Sequence, residues 1–310
     1  MGNMVSVTKG MIINIQKFCL DDGPGIRTTI FMKGCTMDCA WCHNTESKSI
    51  KPQLSFLKRK CISCGKCAAI CPQQVHSFVD NVHGVLWDKC IACGKCVDVC
   101  DYSCLDIAGE IMDVDYVIDI VVQDKPFYEV SNGGVTLSGG EPLMQMDFCE
   151  LLLEKSKKLG IHTCIETAGN VSSEAFYQTA PFTDLYLFDY KLTDSTLHRK
   201  YTGTDNSNIL RNLELLYKIG KKVILRCPII PGINDNKEHL QGIADIYHKY
   251  NGDILVEIMP YHVLGISKLE RFGMSTEVEM PSFNASVDQI NEWEKFLKEQ
   301  GVRFFIEKAN

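Results

Sequence analysis

The fold of this chain is decided by Gly34-Cys35-Thr36-Met37-Asp38-Cys39-Ala40-Trp41-Cys42-His43-Asn44, a stretch with three cysteines at C-x3-C-x2-C spacing. A 4Fe–4S cubane normally takes one thiolate on each of its four irons. Three cysteines this close together can hold three irons and leave the fourth open to a non-protein ligand. An open position distinguishes a reactive metal site from a closed structural one. On spacing alone, a three-cysteine zinc knuckle and a cluster whose fourth cysteine lies elsewhere remain alternatives.

The composition is that of an ordinary globular protein, apart from its cysteine content. The chain has 310 residues, of which 45% are hydrophobic and 23% charged, and its formal net charge of -7 argues against nucleic-acid binding. The length suits one large domain or two. We find no apolar run long enough to span a bilayer and no signal-peptide pattern, so we expect a cytoplasmic protein. In that compartment, 16 cysteines favour metal binding over disulfides.

Residues 45–110 form a separate block with two further cysteine runs. The run at 61–71 has the spacing of a bacterial two-cluster ferredoxin, and it recurs 29 residues later at 90–100. In that arrangement each run gives three cysteines to its own cluster and the fourth to the other. One predicted ligand set is Cys61, Cys64, Cys67 and Cys100, and the other is Cys90, Cys93, Cys96 and Cys71. Cys104 could replace Cys100, and paired zinc knuckles are an alternative that the dense spacing disfavours.

Strands and helices alternate through the rest of the chain. Strands are predicted at 11–15, 28–32, 134–138, 162–166, 184–189, 222–227, 254–259 and 302–306, and helices at 113–123, 145–159, 172–179, 194–201, 207–219, 236–250 and 286–299. This alternation implies right-handed βαβ units and a parallel sheet. In an α/β barrel the active site gathers at the C-terminal ends of the strands, where the first cysteine loop stands. A doubly wound open sheet would give the same pattern.

Two motifs connect these features to a known family. Asp22-Gly23-Pro24-Gly25-Ile26-Arg27 precedes the cysteine triplet, and Ser138-Gly139-Gly140-Glu141-Pro142 follows the cysteine-rich block. The triplet, with Trp41 inside it and His43-Asn44 after it, resembles that of radical S-adenosylmethionine (SAM) enzymes. The segment at 22–27 resembles that of glycyl-radical-enzyme activating enzymes. The resemblance runs from residue 11 to about 307. It implies a partial (β/α)6 barrel of the TIM type, at 1–50 and 108–310, with an inserted ferredoxin-like domain at 51–107.

The resemblance also implies which residues bind SAM. In the family the cysteine triplet holds the catalytic cluster, and the amine and carboxylate of SAM chelate its open iron. Glu141 would accept a hydrogen bond from the SAM amine, and the two glycines before it let the backbone approach a ligand closely. His262 is chosen over His162 only because of the resemblance. The remaining implied SAM-binding residues are Trp41, Asn44, Gly139, Gly140, Glu166, Thr167, Asp189, Lys191 and Arg226.

Charged residues at the predicted strand ends would hold the rest of the substrate. Lys191 suits the SAM carboxylate, and Arg226 suits the carboxylate or the ribose. Glu166 and Asp189 could share a monovalent cation, hold ribose hydroxyls, or be solvated charges. Relatives often carry Asp at the position matching Glu166, so the longer side chain here leaves open whether a cation binds at this point. Four scattered cysteines in apolar surroundings are expected to be buried thiols: Cys19, Cys149, Cys164 and Cys227.

The resemblance implies an oxidoreductase that installs a glycyl radical on a partner. Reductive cleavage of SAM gives a 5′-deoxyadenosyl radical, which takes a hydrogen atom from a backbone glycine of a glycyl radical enzyme. Asp22 and the loop at 23–25 would contact the partner, and the two insert clusters would relay electrons from a ferredoxin or flavodoxin. The insert favours a dehydratase, decarboxylase or lyase partner over pyruvate formate-lyase. A radical SAM enzyme for a small molecule and a pure electron carrier are the alternatives.

Overall fold

The computed structural model describes residues 8–276 and 278–305, which contain twelve strands and eleven α-helices. The strands are β1 (Lys9–Cys19), β2 (Arg27–Met32), β3 (Gln53–Phe56), β4 (His76–Val79), β5 (Val82–Val85), β6 (Leu105–Ala108), β7 (Glu110–Asp113), β8 (Gly134–Gly139), β9 (His162–Thr167), β10 (Leu185–Asp189), β11 (Lys222–Ile229) and β12 (Leu255–Pro260). The helices are α1 (Lys66–Ile70), α2 (Lys95–Asp98), α3 (Val114–Val121), α4 (Lys125–Ser131), α5 (Met146–Lys158), α6 (Ser173–Thr179), α7 (Ser195–Thr202), α8 (Ser207–Lys218), α9 (Lys237–Lys249), α10 (Ile266–Arg271) and α11 (Val287–Glu299).

Eight strands form the main sheet, in the order β12-β11-β10-β9-β8-β2-β1-β7. Six of these strands are parallel and stand in chain order: β2, β8, β9, β10, β11 and β12. A doubly wound sheet reverses its strand order at a switch point, and this sheet has none. Right-handed crossovers that always step the same way place their helices on one face of the sheet, as in a barrel. The predicted partial barrel of six parallel strands is confirmed.

Two antiparallel strands extend this sheet beyond the prediction. β1 pairs antiparallel with β2, and β7 pairs antiparallel with β1. The predicted closing strand at 302–306 is reduced, within the described residues, to a parallel bridge between Phe304 and Val256. Ile306 and the residues beyond it, like residues 1–7, lie outside the described residues. Helix α4 was also not predicted. It is separated from α3 by a 3-10 turn at Val122–Asp124, and a proline lies in its first turn.

The core lies between the parallel strands and the helices that cross between them. The strands are buried on both faces and read as runs of apolar residues, as expected of a parallel sheet. Residues with no exposed surface include Ile30, Leu137, Leu152, Ile165, Phe176, Phe188, Leu213, Leu225, Ile243 and Val256. This packing fixes the ends of the strands, and therefore the positions of the residues that follow them.

The insert is built from two small sheets and rests against the end of the barrel. β3 pairs with β6, and β4 pairs with β5, both antiparallel. The guanidinium of Arg271 donates to Ser55 Oγ at 2.9 Å, and Gly273 packs against the ring of Trp87. The Lys33 ammonium donates to the side-chain oxygen of Gln53 at 2.9 Å. Within residues 8–276 and 278–305, no helix combines the length and the apolar character needed to cross a membrane.

Candidate active site

A cavity of about 590 Å³ opens at the C-terminal ends of the parallel strands. Its volume lies within the range of about 300–1,000 Å³ that small-molecule sites occupy. All the residues predicted for the catalytic cluster and for SAM line this cavity, except Glu141. The lining includes Cys35, Cys39, Trp41, Cys42, Asn44, Gly139, Gly140, Glu166, Thr167, Asp189, Lys191, Arg226 and His262. The fold therefore brings together residues that lie more than 200 positions apart in the sequence, such as Cys35 and His262.

The cysteine loop after β2 is held in place by backbone hydrogen bonds. Gly34 N–H donates to the Ser47 carbonyl at 2.7 Å, and Asp38 N–H donates to the Thr202 carbonyl at 2.8 Å. All three thiols of the triplet line the cavity. Burial raises the pKa of Cys35 to about 11 and that of Cys39 to about 12. Because the thiolate is the metal ligand, loading an iron-sulfur cluster here would release these protons.

The glycine that ends β8 and the glycine that follows it allow two strand ends to pack against each other. A Cβ atom on Gly139, whose φ is +109, would lie 2.4 Å from the backbone nitrogen of Met32. A Cβ atom on Gly140 would lie 2.1 Å from the carbonyl oxygen of Gly34. Glu141 N–H donates to that same carbonyl at 2.8 Å. These glycines therefore bring the β8 loop against the cysteine loop as well as facing the cavity.

Glu141 is not among the residues that line the cavity, and its predicted contact with SAM stays a prediction. Its side chain has no exposed surface, and its oxygens accept from the Thr167 hydroxyl at 2.8 Å and from Ala168 N–H at 3.0 Å. It also accepts from Leu143 N–H at 3.2 Å. Burial raises the pKa of Glu141 to about 7. Its carboxylate instead fixes Thr167 and Ala168, both of which line the cavity.

A charge network crosses the strands at the floor of the cavity. Arg226 donates from Nη1 to Glu166 at 2.8 Å and from Nε to Glu257 at 2.8 Å, and its Nη2 donates to the Asp21 carbonyl. Glu166 also accepts from the Ser138 hydroxyl. Burial raises the pKa of Glu166, but the positive charges of Arg226 and Lys191 and the hydrogen bonds from Ser138 and Arg226 together outweigh burial and lower it overall. The solvated-charge alternative is wrong for Glu166, because its carboxylate is largely buried and paired.

Lys191 and Asp189 form a second ion pair in the same wall, with 2.7 Å between Nζ and Oδ2. The two side chains are 12% and 20% exposed, so this pair is also not a solvated one. Burial disfavours the charged ammonium, but the Asp189 carboxylate together with Cys39 and Cys35 outweighs burial and raises the pKa of Lys191. Lys191 therefore keeps its positive charge beside the three cysteines.

The two histidines named in the sequence lie at opposite ends of the sheet. His262 follows β12, is exposed and lines the cavity. Its carbonyl lies 3.0 Å from Nε2 of His43, which also lines the cavity. His162 begins β9 and lies 3.4 Å from the Arg27 guanidinium, away from the cavity. The four scattered cysteines are buried, as predicted: Cys19, Cys149, Cys164 and Cys227.

Comparisons with known proteins agree with this geometry. A family model described as the radical SAM superfamily matches residues 95–243, and one described as a 4Fe-4S dicluster domain matches residues 53–101. The choline trimethylamine-lyase activating enzyme of Oleidesulfovibrio alaskensis is 38% identical over 87% of this chain and 89% of its own length. The trans-4-hydroxy-L-proline dehydratase activating enzyme of Clostridioides difficile is 39% identical over 87% of this chain and 90% of its own. This chain is a glycyl-radical-enzyme activating enzyme.

The membership settles the reaction and excludes both alternative functions. Activating enzymes of this family are radical SAM oxidoreductases. They cleave SAM reductively to a 5′-deoxyadenosyl radical and take a hydrogen atom from a backbone glycine of a partner glycyl radical enzyme. The dicluster match also excludes paired zinc knuckles in the insert. A radical SAM methyltransferase from Sphaerobacter thermophilus shares the fold, with a TM-score of 0.51 and 14% identity over 96% of this chain and 76% of that one.

The segment at 22–27 of this activating enzyme is held together by a buried arginine. Arg27 has no exposed surface and donates to the Pro24 carbonyl at 3.0 Å, to the Val135 carbonyl at 2.7 Å and to the Thr136 hydroxyl at 2.6 Å. The Asp22 carboxylate accepts from Thr29 Oγ at 2.6 Å. The arginine of this motif is therefore structural and fixes the turn beside the cavity mouth, which Asp21 lines.

The insert of the activating enzyme places its cysteines around two small cavities. One cavity is lined by Cys71, Cys90, Cys93 and Cys96. The other is lined by Cys61, Cys64, Cys67, Cys100 and Cys104. The structure therefore brings together the cysteines of each predicted crossed set, and their role as cluster ligands stays a prediction. Cys100 and Cys104 lie at the same cavity, with 3.2 Å between their sulfurs, so geometry alone does not choose between them.

Several residues of the site were not identified from the sequence. Glu257 accepts a hydrogen bond from Arg226, and Ser138 donates one to Glu166. His43 lines the barrel cavity, and His83 lines the insert cavity that contains Cys61. Glu257 could have been found from strand register, because it stands beside Arg226 in the pairing of β11 with β12. No local pattern points to His83, since its position depends on the β4–β5 hairpin.

Proposed function

We propose that this activating enzyme holds three 4Fe–4S clusters and binds SAM at the first of them. The observation that carries the proposal is that each predicted cysteine set lines a cavity of its own. The first cluster would take Cys35, Cys39 and Cys42 and keep one iron open. The insert clusters would take Cys61, Cys64, Cys67 and Cys100, and Cys90, Cys93, Cys96 and Cys71. When bound there, that cluster would supply the electron for reductive cleavage of the S–C5′ bond of SAM.

The chain's own residues would bind and orient SAM around that cluster. Lys191 would attract the SAM carboxylate, and the backbone of Gly139 and Gly140 would lie along the amino acid part. Glu141 would act through Thr167 and Ala168, which it positions. Trp41, Asn44 and His262 complete the wall.

Glu166 and Asp189 are both engaged by cationic side chains, Arg226 and Lys191. A monovalent cation at this point would be repelled by the positive charges of Arg226 and Lys191. Ribose hydroxyls, in contrast, can share a carboxylate with an arginine, because they donate hydrogen bonds and carry no charge. We therefore assign these carboxylates and Arg226 to the ribose.

The partner would be a glycyl radical enzyme of the lyase, decarboxylase or dehydratase kind. Relatives named for such partners match this chain at similar identities, including the indoleacetate decarboxylase activating enzyme of Tractidigestivibacter scatoligenes at 36%. Asp22 and the 23–25 loop, beside the cavity mouth, would contact its glycine loop. A ferredoxin or flavodoxin would supply electrons through the insert. We retain the division into a barrel, at 1–50 and 108–310, and an insert at 51–107, in the cytoplasm.

Iron content tests the cluster assignment. Anaerobic reconstitution should give about 12 irons per chain, for three four-iron cubanes. Changing Cys35, Cys39 and Cys42 together to Ala should leave about 8 irons and abolish SAM cleavage. Cys19→Ala, which removes a thiol that lies outside all three cavities, is the control and should keep the full content. An unchanged iron count in the triple variant contradicts the assignment.

A further inference from the structure

The two cluster sites of the insert are related by the 29-residue repeat, which makes them nearly identical around their ligands. Cys61 matches Cys90, and both of these are half-buried. Cys67 matches Cys96, and both of these are buried. The backbone N–H of Ser63 lies 3.4 Å from Cys61 Sγ. Its repeat mate, Ala92 N–H, lies 3.4 Å from Cys90 Sγ. Ligand exposure and backbone donors therefore do not distinguish the two clusters.

The repeat breaks down in the side chains behind the ligands. β5 repeats β3, and β6 repeats β4, each with an offset of 29 residues. His83 on β5 therefore matches Leu54 on β3, and Cys104 matches Val75. His83 and Cys104 both line the cavity of Cys61, whereas Leu54 and Val75 have no hydrogen to donate. Gln73 and Tyr102, which are repeat mates, line one cavity each, so His83 and Cys104 are the donors that distinguish the two sites.

His83 is aimed at a cluster ligand and is held there from three sides. Its Nδ1 lies 3.3 Å from Cys61 Sγ, and its Nε2 lies 2.9 Å from Nδ1 of His76. The ring is 5% exposed, stacks on Phe78 at 4.5 Å and packs against Phe56 at 4.3 Å. A histidine fixed in this way cannot turn away from the sulfur without losing all of these contacts.

The neighbours of His83 also select its tautomer. A thiolate bound to iron can only accept. Nδ1 of His83 lies 3.3 Å from Cys61 Sγ, closer than the 3.8 Å between Nε2 and Cys67 Sγ, so Nδ1 is the nitrogen that carries the hydrogen. Nε2 is then the acceptor, and His76 donates to it from Nδ1. This leaves His76 Nε2 as an acceptor, and that atom is buried without a partner in the structure. His76 is therefore a positioning residue, in the same sense as the groups that orient a metal-bound histidine.

A second donor stands at the same site. Cys100 and Cys104 lie with 3.2 Å between their sulfurs, and a cubane with four cysteine ligands needs only one of the two. Whichever binds iron, the other remains a thiol that can donate to it. The charged side chains at this site are Lys66 and Asp101, an exposed pair 2.5 Å apart whose field water screens.

We propose that His83, positioned by His76, makes the cluster of Cys61, Cys64, Cys67 and Cys100 the more easily reduced of the two insert clusters. Reduction adds one negative charge, and a donor aimed at a ligand sulfur stabilises that charge. An electron that enters the insert then resides preferentially on this cluster. The proposal rests on the ligand sets proposed above and adds an order of potentials to them.

Redox titration of the reconstituted full chain, followed by EPR, tests this order. The SAM cluster is recognised because its signal changes when SAM is added, and the two remaining signals belong to the insert. We expect His83→Leu, which installs the repeat mate, to make reduction of one insert cluster at least tenfold less favourable, about 59 mV for one electron. The other two potentials should not move. His83→Gln, which keeps an N–H donor, should restore most of the shift, and His248→Leu, outside the insert, should change nothing.

The proposal is overturned if, in His83→Leu, the equilibrium constant for reduction of each insert cluster stays within threefold of its value in the unaltered protein. If His83→Leu fails to hold its iron, His76→Leu is measured in its place. Loss of positioning should still make reduction of the same cluster at least threefold less favourable. An unchanged potential in His76→Leu then overturns it. Failure of the underlying ligand assignment is recognised separately, since the unaltered protein would show fewer than two insert signals and fewer than about 12 irons.

Discussion

The ammonium group of Lys191 already has a partner in the structure, so in the proposed site the SAM carboxylate would share it with Asp189. We expect Lys191→Ala to weaken SAM binding by about 1.5–3 kcal/mol, the usual worth of a hydrogen bond to a charged group. Calorimetry on cluster-loaded protein measures this, and the iron content should not change. Lys222→Ala is the matched control, because Lys222 is exposed at the opposite end of the sheet, where β11 begins. Unaltered affinity in Lys191→Ala would remove Lys191 from the binding site.

Glu141 should make stability depend on pH. Its pKa is raised by burial from 4.5 to about 7, so between these values the native protein holds a proton that the unfolded chain has released. The corresponding stabilisation is present at low pH and is lost as the pH rises through about 7. Glu141→Gln keeps an acceptor for Thr167 and Ala168 but cannot titrate. The thermal midpoint, measured without SAM, should fall less between about pH 6 and about pH 8 in the variant than in the unaltered protein. Parallel pH profiles would contradict this.

At the residue scale, the sequence predicted which side chains face the cavity better than which partners they take. The cysteines, Lys191 and Arg226 were found because strand ends and motifs mark them. The pairing of Arg226 with Glu257 depends on the register between β11 and β12, which local sequence does not set. The hydrogen bonds of Glu141 with Thr167 and Ala168 were not predicted, for a similar reason. Whether a carboxylate faces a cavity or the backbone behind it depends on how two loops pack.

At the scale of elements, the contact between α10 and the insert fixes how the two parts meet. Gly273 follows α10 with a φ of +64, and a Cβ atom there would lie 2.0 Å from Trp87 Cδ1. We expect Gly273→Ala to displace the insert and to slow activation driven by a protein electron donor. SAM cleavage driven by a small reductant that reaches the first cluster should be much less affected. Both rates are measured as 5′-deoxyadenosine formed.

Gly220→Ala is the matched control for Gly273→Ala. Gly220 also follows a helix, with a φ of +70, but a Cβ atom there would meet nothing within 4 Å. Both variants therefore carry the same backbone strain, and only one carries the clash. Equal effects of the two variants on donor-driven activation would show that the contact with Trp87 does not matter.

The sequence predicted elements well where periodicity is strong and poorly where pairing is non-local. The parallel strands and long helices such as α5, α9 and α11 lie within a few residues of their predicted ends. β7 and the insert strands are four residues long, too short to show a period, and they form only because distant partners are brought to them. The reversal of β1 relative to the barrel strands likewise depends on its pairing with β2 and β7.

At the scale of the whole molecule, the insert and the barrel divide the work. The insert cavities are each lined by at least four cysteines, whereas the barrel cavity is lined by three together with the residues for SAM. A cubane with four cysteine ligands leaves no iron free for SAM. On the proposed ligand sets, bond cleavage would belong to the barrel, and the insert clusters would deliver electrons. The proposed division follows from the cysteine count of each set, so the sequence predicts it without knowledge of any contact.

The relay can be tested by removing one ligand from each insert cluster, with Cys61→Ala and Cys90→Ala combined. Activation driven by ferredoxin or flavodoxin should then fall by at least tenfold, because electrons no longer pass through the insert. A small artificial reductant such as dithionite should still support SAM cleavage at the first cluster. Cys19→Ala, which leaves all three cavities intact, is the control. Both activities must be measured on protein shown by circular dichroism to be folded, since lost clusters also remove folding free energy. Full donor-driven activity without the two insert clusters would show that the insert does not carry electrons, and docking of the partner would then be its remaining role.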